Sequence, residues 1–136
     1  MIGGVYMISW KDEYKIGVET IDNQHKKLFE IANTAYELLK NDTYIDKYDR
    51  IVQILEELKE YTKFHFKSEE EYMESIGYKR LLSQKVAHND FIDKIYSINL
   101  SEIDENQDEY ILEILDFIVN WISVHILESD MLITKA

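Results

Sequence analysis

DKYDRIVQILEELKEYTKFHFKSEEEYMES, residues 46–75, decides the fold. Ile51, Leu55, Leu58, Thr62, His65, Glu69 and Tyr72 recur there at steps of three and four, the repeat of a single helix face. His65 and Glu69 stand four residues apart, so they continue the buried seam and do not interrupt the solvent side. An imidazole and a carboxylate on such a seam are costly unless a partner or a metal ion satisfies them.

The same period runs on either side of this stretch. A first helix is expected over about Asp22–Lys40, with Leu28, Phe29, Ala32, Tyr36 and Leu39 inward and the turn chemistry of Asn41-Asp42-Thr43 at its end. Gly77 fits a stop for the second helix, 46–75. A third spans about Lys79–Ile98, with Leu81, Gln84, His88, Phe91, Ile92 and Ile95 inward. Ser101–Asp108 reads as an acidic connector, and a fourth helix covers about Gln107–Leu132, with Ile111, Ile114, Ile118, Trp121, Ile122 and His125 on one stripe. The chain has no proline and only four glycines, which favours long uninterrupted helices. The expectation is an all-α, up-down-up-down four-helix bundle forming one domain over 1–136. Residues 1–19, with Tyr6, Trp10 and Tyr14 but no clear period, form an N-terminal arm along it.

A net charge of −12 argues against nucleic acid, whose phosphates nothing here would neutralise, and against an anionic membrane surface. The chain has no cysteine, which excludes disulfides, thiolate metal sites, iron–sulfur clusters and cysteine nucleophiles. Met1–Trp10 lacks the basic start and apolar core of a secretory signal. The apolar run Ile111–Leu127 is broken by Glu113, Asp116, Asn120 and His125, so it reads as a core helix and not a membrane span. A cytoplasmic monomer with no nucleic-acid or membrane partner is expected, since no exposed apolar stripe is evident.

The chain's four histidines, His25, His65, His88 and His125, fall on separate amphipathic segments. Glu69 follows His65 by four residues, and Asp130 follows His125 by five. On a regular α-helix a spacing of five turns two side chains about 140° apart, so His125 and Asp130 meet only by approaching from different sides or where the helix loosens. Imidazole with carboxylate suits iron, zinc or manganese. Two acids with histidines divided on either side suit a pair of metal ions better than one four-coordinate zinc. Taken singly, each residue has a plainer reading: His25 a satisfied core residue, His65 and Glu69 an intrahelical pair, His88 a helix-edge residue, His125 and Asp130 a frayed end. Of Glu69-Glu70-Glu71, only Glu69 lies on the seam. Asp22 reads as an N-cap or first-turn acid, and Gln24 as a first-turn residue with a secondary role of orienting His25. Trp10, Tyr14, Tyr110 and Trp121 read as packing.

In order and spacing the chain resembles the hemerythrins, most closely their single-domain bacterial branch. The matching text is Trp10, Tyr14, Gly17, Ile21-Asp22-Asn23-Gln24-His25 and Leu28, then His65-Phe66, Glu69-Glu70, Met73, Tyr78, His88 and Phe91, then Trp121-Ile122, His125-Ile126 and Asp130. The resemblance implies two iron ions joined by an oxo or hydroxo bridge, with dioxygen as ligand. It places one iron on His25 and His65 with a position left for dioxygen, the other on His88 and His125, and Glu69 and Asp130 between them. It also implies one further histidine four residues before His88, where this chain has Gln84.

An amide oxygen is a much weaker iron donor than imidazole, and the amide NH₂ can only donate hydrogen bonds. Three readings of Gln84 stand open: weak coordination through oxygen, a residue standing off while water or a small anion fills the gap, or a site with fewer than two irons. The second is preferred. The resemblance implies a non-heme di-iron protein that binds dioxygen reversibly, for storage, delivery, sensing or scavenging, and leaves open an oxidase or peroxidase side activity. The alternatives are an oxygen- or peroxide-reducing di-iron enzyme, which an open position at Gln84 would favour, and a metal-storage or interaction module.

Overall fold

In the computed structural model, which describes residues 9–41, 46–99 and 108–134, four long helices follow one another. They are α1 (Glu19–Lys40), α2 (Lys47–Ser75), α3 (Leu81–Tyr96) and α4 (Asp108–His125). A π-helical turn, Ile126–Asp130, continues α4 and leads into the short α5, Met131–Thr134. No strand occurs among the described residues. The helix α1 packs against α2 and α4, and α2 packs against α3, giving the up-down-up-down bundle.

The seam of 46–75 folds as one 29-residue helix, with Ile51, Leu55, Leu58, Thr62, His65 and Glu69 all buried. Its end differs by one position: Met73 is buried and Tyr72 only half so, because the straight α-repeat drifts off a fixed stripe over eight turns. Gly77 stops it as expected. With φ at +65° the glycine turns the chain back, so that Tyr78 N–H donates to Met73 C=O (2.9 Å) and Gly77 N–H to Glu74 C=O (3.1 Å). This paired closure satisfies carbonyls that the helix end would leave bare.

Other bounds shift. The helix α1 begins at Glu19, ahead of Asp22, so Asp22 lies in its first turn and is not the N-cap. Its carboxylate accepts from the backbone N–H of Ile16 (2.8 Å) and Gly17 (3.2 Å), fastening the incoming arm to the helix. The helix α3 is shorter than 79–98, because Lys79 and Arg80 are taken up in the turn that follows Gly77. The expected single helix over 107–132 is instead α4, the π turn and α5. Tyr6, Asp42-Thr43, Gln107 and the connector 101–107 lie outside the described residues.

The arm packs as its aromatics suggested. Trp10 and Tyr14 meet Phe29 of α1 at ring-centroid distances of 5.9 and 5.2 Å. A 3-10 turn, Asp12–Tyr14, lies against the π turn, and Thr134 Oγ1 donates to Ile16 C=O at 2.6 Å. The arm therefore closes over the end of the bundle where α1 begins and α4 ends. At the other end Lys47 Nζ donates to Leu39 C=O at 2.9 Å, capping the last turn of α1.

The interior divides by end. Around the α1–α2 connection it is apolar: Ala32, Ala35, Tyr36, Ile51, Ile54, Leu55, Leu58, Ile95, Ile111, Leu115 and Ile118 are buried. Asp108–Thr134 has the length and apolar composition of a membrane span, but Ile111, Ile114, Leu115, Ile118 and Ile122 turn into this core. Leu82, Val86, Phe117 and Val124 are exposed, so the outer side of α3 and α4 is not wholly polar. At the arm end, the buried residues include four histidines, the acids Asp22, Glu69 and Asp130, and the glutamines Gln24 and Gln84.

Candidate metal centre

All six ligand candidates converge at that end. His25 comes from α1, His65 and Glu69 from α2, His88 from α3, His125 from the last turn of α4 and Asp130 from the π turn. All are buried. The five-residue spacing is answered by the π turn: its wider repeat brings residue i+5 back over residue i, so His125 and Asp130 face the same interior. Nε2 of His125 lies 3.2 Å from Asp130 Oδ1. A regular helix would have turned Asp130 away.

Each carboxylate divides its two oxygens between two histidine pairs. Glu69 Oε2 faces His25 Nε2 (3.5 Å) and His65 Nε2 (3.3 Å), while its Oε1 faces His88 Nε2 (3.1 Å) and His125 Nε2 (4.0 Å). Asp130 does the same, with Oδ2 at 3.3 Å from His25 Nε2 and Oδ1 toward His125. Two donor sets result, His25–His65–Glu69–Asp130 and Glu69–His88–His125–Asp130, each with donor atoms within 4.8 Å of one another. Neighbouring donors on one metal ion with bonds of about 2.1 Å lie roughly 3 Å apart, so these separations suit a cation in each set.

The hydrogen bonds behind the imidazoles point the same way. His65 Nδ1 meets Gln24 Oε1 at 2.7 Å, and because that oxygen only accepts, Nδ1 carries the proton and Nε2 presents a lone pair inward. His88 Nδ1 meets Glu70 Oε2 at 2.8 Å with the same consequence. Lone pairs then face carboxylate oxygens, an arrangement that a cation or a proton must relieve. Both ring nitrogens of His25 and both oxygens of Glu69 are buried without a hydrogen-bond partner, the signature of a donor set shaped for an ion.

The carboxylates favour the charged form of two of the histidines. Burial pushes His25 toward the neutral form, but Asp130 and Glu69 outweigh it and raise its pKa to about 9. Burial likewise opposes charge on His88, and Glu69 and Glu70 outweigh it to raise its pKa. For His65 burial prevails and the pKa falls. Burial would raise Glu69, yet contacts with His25, His65 and His88 hold it well below the usual carboxylate range. The centre is an anionic well that takes up positive charge.

Packing around the two sets differs. Phe66 stacks on His88 (3.9 Å between centroids, 3° between planes) and Trp121 on His125 (4.5 Å, 13°), with Phe91 stacked behind Trp121. His25 and His65 meet edge to face at 4.5 Å. Trp121 is thus a packing residue, as expected, but its ring fixes a histidine of the centre.

Two assignments change, and Gln84 gains a partner. Gln24 orients His65 and not His25. Glu70, read as solvated, reaches across to His88 on α3. Gln84 is buried at the centre, and its Nε2 donates to Asp130 Oδ1 at 3.3 Å. That turns its amide oxygen away from the carboxylate.

An all-α bundle with two histidine–carboxylate sets sharing both acids defines a class: helical proteins built to hold a pair of cations. Comparison narrows it. Residues 16–136 match the Hemerythrin HHE cation binding domain, and the chain belongs to the hemerythrin family. A bacteriohemerythrin of Clostridium acetobutylicum is 59% identical over 91% of this chain and 96% of its own length. One from Pseudomonas paraeruginosa is 29% identical over 89% and 75%. The crystal structure of wild-type hemerythrin superposes with a TM-score of 0.79 at 25% identity, covering 94% of this chain and 95% of that one.

Proposed function

We propose that this protein is a non-heme di-iron protein that binds dioxygen reversibly, for storage, delivery, sensing or scavenging. One observation carries the reading: Glu69 and Asp130 each turn one oxygen to the His25–His65 pair and the other to the His88–His125 side. His25 and His65 would hold one iron, His88 and His125 the other, and the two carboxylates would bridge them. A ferrous pair held there supplies the two electrons that reversible dioxygen binding draws on. The chain's own part is to fix the donors and keep the surroundings dry. Gln24 and Glu70 set the tautomers of His65 and His88, and the aromatic stacks hold the His88 and His125 rings in plane. Leu28, Phe66, Met73, Ile122 and Ile126, buried within a turn or so of the donors on their helices, keep bulk water out. A cytoplasmic monomer without nucleic-acid or membrane partners completes the proposal.

A second reading, an oxygen- or peroxide-reducing enzyme, draws on Gln84, which gives its NH₂ to Asp130 and so withholds an oxygen donor from one iron. One experiment separates them: spectra of the reduced, iron-loaded protein before and after exposure to air. A charge-transfer band that forms in air and disappears under vacuum supports carriage. Rapid conversion to the diferric form with peroxide turnover supports the enzyme, and no band with no iron bound defeats both.

A further inference from the structure

The two donor sets are unequal in a way the shared carboxylates hide. The buried amide beside His65, Gln24, has its oxygen bonded to His65 Nδ1, whereas the one beside His125, Gln84, has a buried oxygen with no partner. Gln84 Nε2 donates to Asp130 Oδ1 at 3.3 Å, while its Oε1 is buried without a partner. The amide orientation follows from this contact, since the reverse would set a carbonyl oxygen against a carboxylate. Gln84 therefore holds Asp130 by the very oxygen that faces His125. The same side is reached from outside by a cleft of about 120 Å³, lined by Gln84 and His125 with Arg80, Ser83, Glu128 and Ser129 toward solvent. Arg80 and Ser83 are exposed. His125, at 8%, is the most exposed of the four histidines, the others being at 2% or less.

We propose that Gln84 is a positioning residue for Asp130, and that the side of the His88–His125 ion it faces is an exogenous-ligand site for a small monoanion entering through this cleft. The inference rests on the di-iron reading above. An amide committed to Asp130 leaves that ion one donor short of what a ligating side chain would give. The missing donor must be small, because the cleft has room for only a few atoms. It is anionic, because the ion is cationic and Arg80 offsets the charge of Glu128 in the cleft wall. The buried Gln84 oxygen would accept a hydrogen bond from a water that accompanies the anion.

The test uses azide on the diferric, iron-reconstituted chain, with iron content measured first in every variant. Wild type is expected to bind two azides per chain in a visible-absorption titration, and Gln84→His one, the new imidazole having filled the second position. Ser83→Trp, at the exposed rim, is expected to bind two, with the second association slowed at least several-fold. Gln84→Leu keeps the size and removes the hydrogen bond; it is expected to bind two azides but to lose iron to a chelator about 10–100-fold more readily. Two irons per chain with one azide in both wild type and Gln84→His would overturn the inference and leave the di-iron reading standing. One iron in wild type against two in Gln84→His would also overturn it, since the gap would then empty the position. Fewer than two irons in both would overturn the inference and the di-iron reading together. Wild-type iron retention in Gln84→Leu would remove the positioning role.

Discussion

The two ends of this bundle are built from the same four helices and solve opposite problems. Around Tyr36, Leu55, Ile111 and Leu115 the interior is largely apolar, and polar groups beside it such as the Tyr36 hydroxyl and the Lys47 ammonium have partners. At the arm end the same helices bury four histidines, Glu69, Asp130 and Gln84, several of whose polar atoms find no partner. Apolar burial stabilises each large side chain by about 1.5–3 kcal/mol, whereas buried ionisable groups are a cost until something neutralises them. One end folds the chain, and the other uses that fold to keep ionisable groups buried where cations can neutralise them.

The largest effect expected at the arm end comes from Glu69→Ala. It removes the residue whose oxygens face all four histidines, so elemental analysis should find neither ion retained, while circular dichroism stays helical. Retention of two ions would show that the ends are not divided as described. Its counterpart is Leu55→Ala, a large-to-small change in the apolar end, expected to lower unfolding free energy by about 2–5 kcal/mol in chemical denaturation. Iron stoichiometry should survive in the fraction that folds. If instead Leu55→Ala empties the metal centre under native conditions, the two ends are one cooperative unit.

Smaller substitutions sharpen the comparison within the centre. Gln24→Leu should weaken the ion on the His25–His65 side, and Glu70→Gln the one on the His88–His125 side, each by about 10–100-fold in metal competition. Equal loss from both sides in either variant would contradict independent support of the two sets.

How far this division could be read in the chain follows from which contacts are local. The helix seams are local patterns, so the α2 face, the Gly77 stop and the convergence of His65 with Glu69 were legible. The spacing of His125 and Asp130 posed a choice between divergence and a loosened helix that only the fold resolves, in favour of a π turn. Glu70 was missed because it lies beside the seam and its partner His88 is on another helix; periodicity within α2 carries no trace of what α3 brings against its flank. Gln24 was assigned to its sequence neighbour His25, whereas packing of α1 on α2 gives it to His65. The start of α1 was placed late because Asp22 looks like a cap; its side chain in fact serves the arm's backbone.

The smallest expected effect lies in the apolar end. Tyr36 O–H donates to Asp116 Oδ1 at 2.7 Å, tying α1 to α4. Burial, and then that hydrogen bond, push the tyrosine above its usual pKa range. A raised folded-state pKa contributes stability that is full below about pH 10, the unfolded value, and is lost as pH climbs beyond it. Tyr36→Phe should lose about 1 kcal/mol at neutral pH and show less of this alkaline decline in thermal melts, with metal content unchanged. An alkaline decline identical to wild type would assign it to other groups.

The most direct test of the central claim is anomalous diffraction at the iron edge from crystals of the iron-loaded chain. Two peaks are predicted, one bonded to His25 and His65 and one to His88 and His125, with an oxygen of Glu69 and of Asp130 on each. A single peak, or none among these six side chains, would contradict the account.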